Sequence, residues 1–169
     1  MAKNPSTVVG PLKIRYKGVF DMKGLLAFVY RWFAENHYDW HEKLYKEKAE
    51  SALGNETEIK ITGDNKVSEY FQYDATFEIH MWESKDVVVK VGGKDVHMMQ
   101  GRIEIQVSGG VTRDWQNKFP EGGMWGSAQK FLDNFLLKND FLFIHADKME
   151  KEIHALNADI KRLLKMEAE

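Results

Sequence analysis

Residues 66–82 constrain the fold more than any other part of the sequence, because apolar and polar side chains alternate along nearly all of this run. The apolar positions are Val67, Phe71, Tyr73, Ala75, Phe77, Ile79 and Met81, with Glu69 as the one interruption. Successive side chains of a strand point to opposite faces, so the run predicts one long strand with a buried face and a solvated face. Alternation of this kind is typical of antiparallel sheets, since parallel strands are usually covered on both faces.

Shorter patterns predict the other strands and the first helix. Further strands are predicted at 12–20, 40–48, 57–62, 86–91 and 96–108. Gly63-Asp64-Asn65 predicts a hairpin turn into the long strand, and Gly92-Gly93 predicts a two-residue hairpin. Asp21 is a predicted N-cap for a helix that runs to about Asn36. The apolar face of that helix consists of Met22, Leu25, Leu26, Val29, Trp32 and Phe33.

The C-terminal region carries a helical repeat. Apolar residues recur after Ala146 at alternating spacings of three and four, which is the repeat of a coiled-coil interface. We call these positions the C-terminal seam: Met149, Ile153, Leu156, Ile160 and Leu163. Residues 141–169 are therefore predicted to form an amphipathic helix. Its seam either packs on the sheet of the same chain or pairs with another chain, and a preceding helix is predicted to start at Ser127.

Together the elements predict an α+β fold. A curved antiparallel sheet of about five or six strands would be packed by an N-terminal helix and a long C-terminal helical segment. The element order is partly helix-grip-like. Residues 1–11 are predicted to be a flexible leader, and residues 12–169 a single domain, since a chain of 169 residues suffices for one sizeable core.

Composition excludes several classes of function. The net charge of −2 gives no general attraction to nucleic acid or to anionic membrane, so we expect no nucleic-acid partner. The absence of cysteine excludes disulfides, thiolate metal sites and cysteine nucleophiles. No segment reaches the roughly 18 to 20 apolar residues of a membrane-spanning helix, and the N-terminus lacks a signal-peptide core. We therefore expect a cytoplasmic protein.

The densest group of metal-capable side chains is His37, Asp39 and His41, followed by Glu42. The two histidines would share a face in a helix, and all three would share a face in a strand. A zincin motif needs Glu directly after the first histidine, and Tyr38 stands there instead. Solvated side chains where a helix ends and a strand begins explain the pattern better than a metal site, so no cofactor is expected.

The polar face of the long strand carries Glu78 and His80 opposite Arg102 and Glu104. Such groups can perform acid–base chemistry, but cross-strand charge pairing is the commoner role on an open sheet. Residues 121–127 are rich in glycine and contain no nucleotide-binding motif.

Two functions fit this sequence. The first is a non-enzymatic interaction or self-assembly protein, acting through the C-terminal seam and through aromatic residues on the polar sheet face. Its predicted interaction residues are Tyr70, Trp82, Met149, Ile153, Leu156, Ile160 and Leu163. The alternative is a carrier or sensor of a small apolar ligand, held in a pocket lined by Phe71, Tyr73, Phe77, Met81 and Phe135. A third hypothesis is a metal enzyme built on His37 and His41.

Two segments carry a resemblance to other proteins. HMWESKDVVV at 80–89 and DWQNKF at 114–119 are similar to segments of small uncharacterised proteins of archaeal genomes. The resemblance extends over about residues 12–135. It implies a microbial cytosolic protein and assigns no catalytic or binding residue.

Overall fold

The computed structural model describes residues 7–52, 54–117, 127–128, 131 and 144–165, with the backbone alone for 49–51. It confirms the α+β prediction. The elements are β1 (Thr7–Phe20), α1 (Met22–Glu35), β2 (Asp39–Ser51), β3 (Gly54–Lys66), β4 (Phe71–Val91), β5 (Lys94–Arg113) and α2 (Ala146–Leu163). The strands form one antiparallel sheet in the order β1-β5-β4-β3-β2, which is not closed.

One face of the sheet, here called the inner face, carries both helices and the core. From Phe71 to Met81 every odd residue of β4 is buried and every even residue is partly exposed, as the alternation predicts. Helix α1 is capped by Asp21, whose Oδ1 accepts a hydrogen bond of 2.9 Å from the Gly24 N–H. The buried face of α1 consists of Met22, Leu25, Val29 and Phe33.

The predicted long strand is in fact two strands. Lys66 ends β3, a turn occupies residues 67–70, and β4 begins at Phe71. Ser68 stabilises the turn, because its Oγ accepts hydrogen bonds from the N–H groups of Tyr70 and Phe71 at 3.2 and 2.9 Å. A serine that accepts hydrogen bonds from turn amides leaves no periodic pattern in the sequence. The alternation therefore predicted a continuous strand across this turn.

The predicted turn at Gly63-Asp64-Asn65 is wrong, since these residues lie within β3. A Cβ atom on Gly63 would come within 2.9 Å of the Phe33 Cδ1. The glycine therefore makes room for the helix above the strand. The Gly92-Gly93 hairpin is confirmed, with positive φ angles of 56° and 80° and open space around both residues.

The structure also changes two further boundaries. β1 begins at Thr7, so residues 7–11 of the predicted leader belong to the sheet, and residues 1–6 lie outside the described part. The segment 86–91, predicted as a separate strand, continues β4 beyond a register shift between Trp82 and Lys85. In this shift Glu83 has a φ of 55°.

Helix α2 packs against β1 and β5 of its own chain. Met149, Ile153, Leu156 and Ile160 are buried, as expected of the seam. Leu163 is 46 % exposed, however, and its neighbour Leu164 is 3 % exposed. A straight helix with 3.6 residues per turn drifts away from a 3.5-residue repeat, so the buried stripe moves to Leu164. Of the helical segment predicted for 141–169, residues 141–143 and 166–169 lie outside the described part.

Candidate functional site

The β4–β5 hairpin extends beyond both neighbouring strands. Pairing of β3 with β4 ends at Ser84, and pairing of β1 with β5 ends at Met99. Among the described residues, residues 87–98 therefore pair only with each other, and Asp86 pairs with Met99 at the base, in an unbroken register up to the Gly92-Gly93 turn. We call this two-stranded segment the hairpin arm.

The hairpin arm exposes apolar side chains on both of its faces. Register pairs Val87 with Met98 and Val89 with Val96, so these four side chains share one face, and each is partly exposed. Val88 lies on the other face and is 56 % exposed, while Val91 near the tip is 51 % exposed. A two-stranded hairpin without further packing is at best marginally stable in water. Among the described strands, none supports this arm from beside it.

The outer face of the sheet, opposite the helices, carries rows of alternating charge. One row places Glu58, His80, Glu104 and Arg15 in register across four adjacent strands. Arg15 Nε donates to Glu104 Oε2 at 2.7 Å, and this bond lowers the pKa of Glu104. In the next row Lys60 pairs with Glu78. The predicted cross-strand charge pairing is therefore present, in the form that stabilises sheets.

Two carboxylates lie close to the His80 ring, and the sequence did not predict either contact. Its Nε2 lies 2.6 Å from Glu56 Oε1 and 3.8 Å from Glu58 Oε1. One ligand atom from each of the three side chains lies within 4.8 Å of the others. These are ligand types that zinc accepts, but the Glu56–His80 hydrogen bond also accounts for the arrangement on an open face.

The predicted metal ligands are not brought together. Among the described residues, the group of three or more metal-capable side chains is Glu56, Glu58 and His80, not His37, Asp39 and His41. His37 is exposed with a φ of 59° just after α1, and His41 Nε2 lies 3.4 Å from Thr62 Oγ1 on the edge of the sheet. A tight helix exit separates side chains that sequence spacing placed on one face.

Of the two predicted interface aromatics, only Trp82 lies on a strand. Its ring stacks on His80 with centroids 3.8 Å apart, and the Arg102 guanidinium lies 5.8 Å from the ring centroid. Arg102 is held in turn by Glu83, at 3.2 and 3.3 Å. Tyr70 belongs to the turn after β3 and packs edge-on against Phe71. The two aromatics therefore do not form one surface on a common strand.

The predicted ligand pocket is mostly packed core. Phe71, Tyr73 and Phe77 are between 0 and 5 % exposed, and Phe135 lies outside the described residues. Met81 does line a cavity of about 360 Å³ between α1 and the inner face. Its lining also contains the apolar residues Met22, Leu26, Tyr45, Ile59 and Met99, together with polar and charged residues that include Glu47, Thr57 and Asp86.

A polar cluster lies under α2. Tyr73 Oη is 2.8 Å from His145 Nδ1, and burial together with the nearby Glu152 raises the pKa of Tyr73 to about 12. Burial also raises the pKa of Glu152 and that of Tyr38, whose hydroxyl has no hydrogen-bond partner among the described residues. The two tyrosines stay protonated at neutral pH, so neither acts there as a base.

Two surfaces were missed by sequence reasoning. The hairpin arm was missed because residues 86–91 were predicted as a separate strand, whereas β4 continues to Val91 with 21 residues beside a β3 of 13. The Glu56–Glu58–His80 group depends on the register between β3 and β4, for which the sequence gives no direct signal.

Comparison with protein-family models and with curated proteins finds no match for this chain. No helix among the described residues has both the length and the apolar character needed to cross a bilayer.

Proposed function

We propose that this protein acts by binding another protein chain through its hairpin arm. The supporting observation is that β4 and β5 continue past their neighbours as an isolated, valine-rich pair of strands. Exposed apolar surface and unpaired strand edges are features through which proteins associate. A partner that covers the arm would supply the packing that the rest of the sheet does not give it.

The C-terminal seam does not support the same role. Met149, Ile153 and Ile160 are each 0 % exposed, and Leu156 is 1 % exposed. These side chains already pack within their own chain, so an intermolecular contact through them would require α2 to leave the sheet. The binding proposal therefore concerns the arm, with Trp82 near its base on the outer face.

A photo-crosslinking experiment tests this function. A benzophenone amino acid replaces Val88 in one protein and Lys161, an exposed residue of α2, in a control. Each is irradiated alone and in an extract of the source cells. We expect a discrete adduct from position 88 only. If the partner is a different protein, excess unlabelled wild type should suppress this adduct and the Val88→Asp/Val91→Asp variant should not; if the partner is a second copy, the adduct should form with the protein alone and persist. Equal labelling from both positions contradicts a role for the arm.

The cavity next to α1 favours a second candidate, the binding of a small apolar ligand. Its volume of about 360 Å³ lies at the lower end of the range typical of ligand pockets. Leu26→Trp would fill this space from the exposed side of α1. Native mass spectrometry of gently purified protein should then show an added mass on the wild type and none on the folded variant. Absence of any added mass from the wild type would contradict this candidate.

A further inference from the structure

We propose that the partner of the hairpin arm is a second copy of this chain. The two copies would join by antiparallel pairing of their β4 edges about a twofold axis at Val88. This inference rests on the proposed function of the arm, and it specifies the partner and the register of the interface.

The β4 edge is open along the arm. One side of β4 pairs with β5 over its whole length, and the other side loses β3 after Ser84. No described strand pairs with that second side from Asp86 to Val91. The segment contains Val87, Val88 and Val89 in succession, and β-branched residues are well suited to strands. An open edge of this composition is a template for strand addition.

The sequence of this edge is complementary to itself. With Val88 opposite its own copy, Asp86 of each chain faces Lys90 of the other, and Val87 faces Val89. A twofold axis produces both charge pairs, since each chain contributes the same surface. Neither Asp86 nor Lys90 forms an ion pair with another described residue. Opposite charges directly across two antiparallel strands are favourable, so they select this register.

Shifted registers lose the complementarity. An axis at Val87 places Asp86 opposite Val88 and Lys90 opposite Ser84. An axis at Val89 places Asp86 opposite Gly92 and Lys90 opposite Val88. In both cases the two charged side chains face uncharged residues. The axis at Val88 is thus the favoured one of the three.

The corresponding edge of β5 is a weaker candidate. It is free only over residues 94–98, because β1 pairs from Met99 onward. An axis at Val96 would place Lys94 opposite Met98 and Asp95 opposite His97. No Asp or Glu then faces a Lys or Arg, so this edge offers no pair equal to Asp86 with Lys90.

Charge exchange tests the register. Asp86 and Lys90 are exposed, so their substitution should leave the far-UV circular dichroism spectrum unchanged. We expect the wild type to form a dimer in sedimentation velocity. Asp86→Lys and Lys90→Asp should each weaken the dimer at least about tenfold, which is about 1.4 kcal/mol. The double variant should recover the affinity, and a mixture of the two single variants should form a heterodimer, since opposite charges then face each other again.

A disulfide test fixes the axis. The chain has no cysteine, so Val88→Cys introduces a single thiol. Its Cα atom would lie about 5 Å from its copy, within the range that a disulfide spans. Val91→Cys is the matched control, because six residues separate it from its facing position and its copy lies about 20 Å away. Oxidation should link the first variant into dimers and leave the second as single chains, whereas Val96→Cys should link only if β5 forms the interface.

The outcomes separate this inference from the proposed function. A wild type that remains monomeric at high concentration overturns self-pairing, although an arm-specific adduct with a different protein would still support the binding function. The β4 register is also overturned if the charge-exchange variants dimerise as tightly as the wild type, or if Val96→Cys links the dimer. Loss of both the dimer and every arm-specific adduct would contradict the inference and the proposed function together.

Discussion

Gly109 of β5 lies directly beneath Met149 of α2. A Cβ atom on Gly109 would come within 2.5 Å of the Met149 Sδ and within 2.7 Å of the Ile153 Cγ1. The same arrangement recurs at α1, where Gly63 lies beneath Phe33. Each helix thus reaches the sheet at a position where the strand has no side chain.

Gly109→Ala should destabilise the protein, because the added methyl group overlaps Met149 and Ile153. Overpacking of a filled core typically costs about 1–3 kcal/mol. Urea unfolding followed by circular dichroism would measure the change in the free energy of unfolding. Ser108→Ala, the adjacent residue with its side chain on the outer face, is the control and should change it little. Equal destabilisation by both variants would mean that this close approach does not limit the packing of α2.

The end of α2 offers a matched pair of leucines. Leu164 is 3 % exposed and Leu163 is 46 % exposed. Leu164→Ala should lower the free energy of unfolding by about 2 kcal/mol, near the lower limit for a buried leucine because it follows the last turn of the helix. Leu163→Ala should change it by less than about 0.5 kcal/mol. A larger loss of stability from Leu163→Ala than from Leu164→Ala, measured by denaturant titration, would contradict this. It would mean that Leu163 packs on the sheet, as the 3.5-residue repeat predicts.

The sequence predicts the fold class and most elements because one face of each is buried. Alternation places the inner face of β4, and the spacing of Met22, Leu25 and Val29 places the face of α1. The turn after β3 is not predicted because Ser68, and not a glycine, stabilises it. Gly63, by contrast, lies within β3 and leaves space for Phe33 of α1. Local patterns cannot distinguish these two uses of glycine.

The candidate site is less predictable, because it depends on where neighbouring strands stop. The valines of segment 86–91 read as an ordinary strand in the sequence. Only the register shows that the pairing of β3 with β4 ends at Ser84 and leaves the valines without a neighbour on that side. His80 likewise comes close to Glu56 and Glu58 through register, although it lies more than 20 positions from both in the sequence.

Replacing either of two buried tyrosines by phenylalanine should change the free energy of unfolding, but in opposite directions. The Tyr38 hydroxyl has no hydrogen-bond partner in the described part of the chain, so Tyr38→Phe removes a desolvated polar group and should stabilise the protein by about 1 kcal/mol. Tyr73 bonds His145 at 2.8 Å, so Tyr73→Phe should destabilise it by a similar amount. Thermal and denaturant unfolding of both variants would check this. Destabilisation by Tyr38→Phe would indicate that its hydroxyl does have a partner in solution.

Glu152 should make stability depend on pH. Burial raises its pKa above the ordinary value of 4.5, an effect that Lys148 at 3.7 Å opposes only in part. The folded protein then holds this proton more firmly than the unfolded chain, so the free energy of unfolding falls as the pH rises from about 4.5 through the raised pKa. Glu152→Gln removes this loss of stability at higher pH.

Because the Glu152 carboxylate is partly solvated, the variant should be more stable than the wild type at pH 7 by less than about 1 kcal/mol. This difference should vanish below about pH 4. Denaturant unfolding across this range, with the exposed Glu150→Gln as the control, would measure the effect, and a difference independent of pH would show that burial does not raise this pKa.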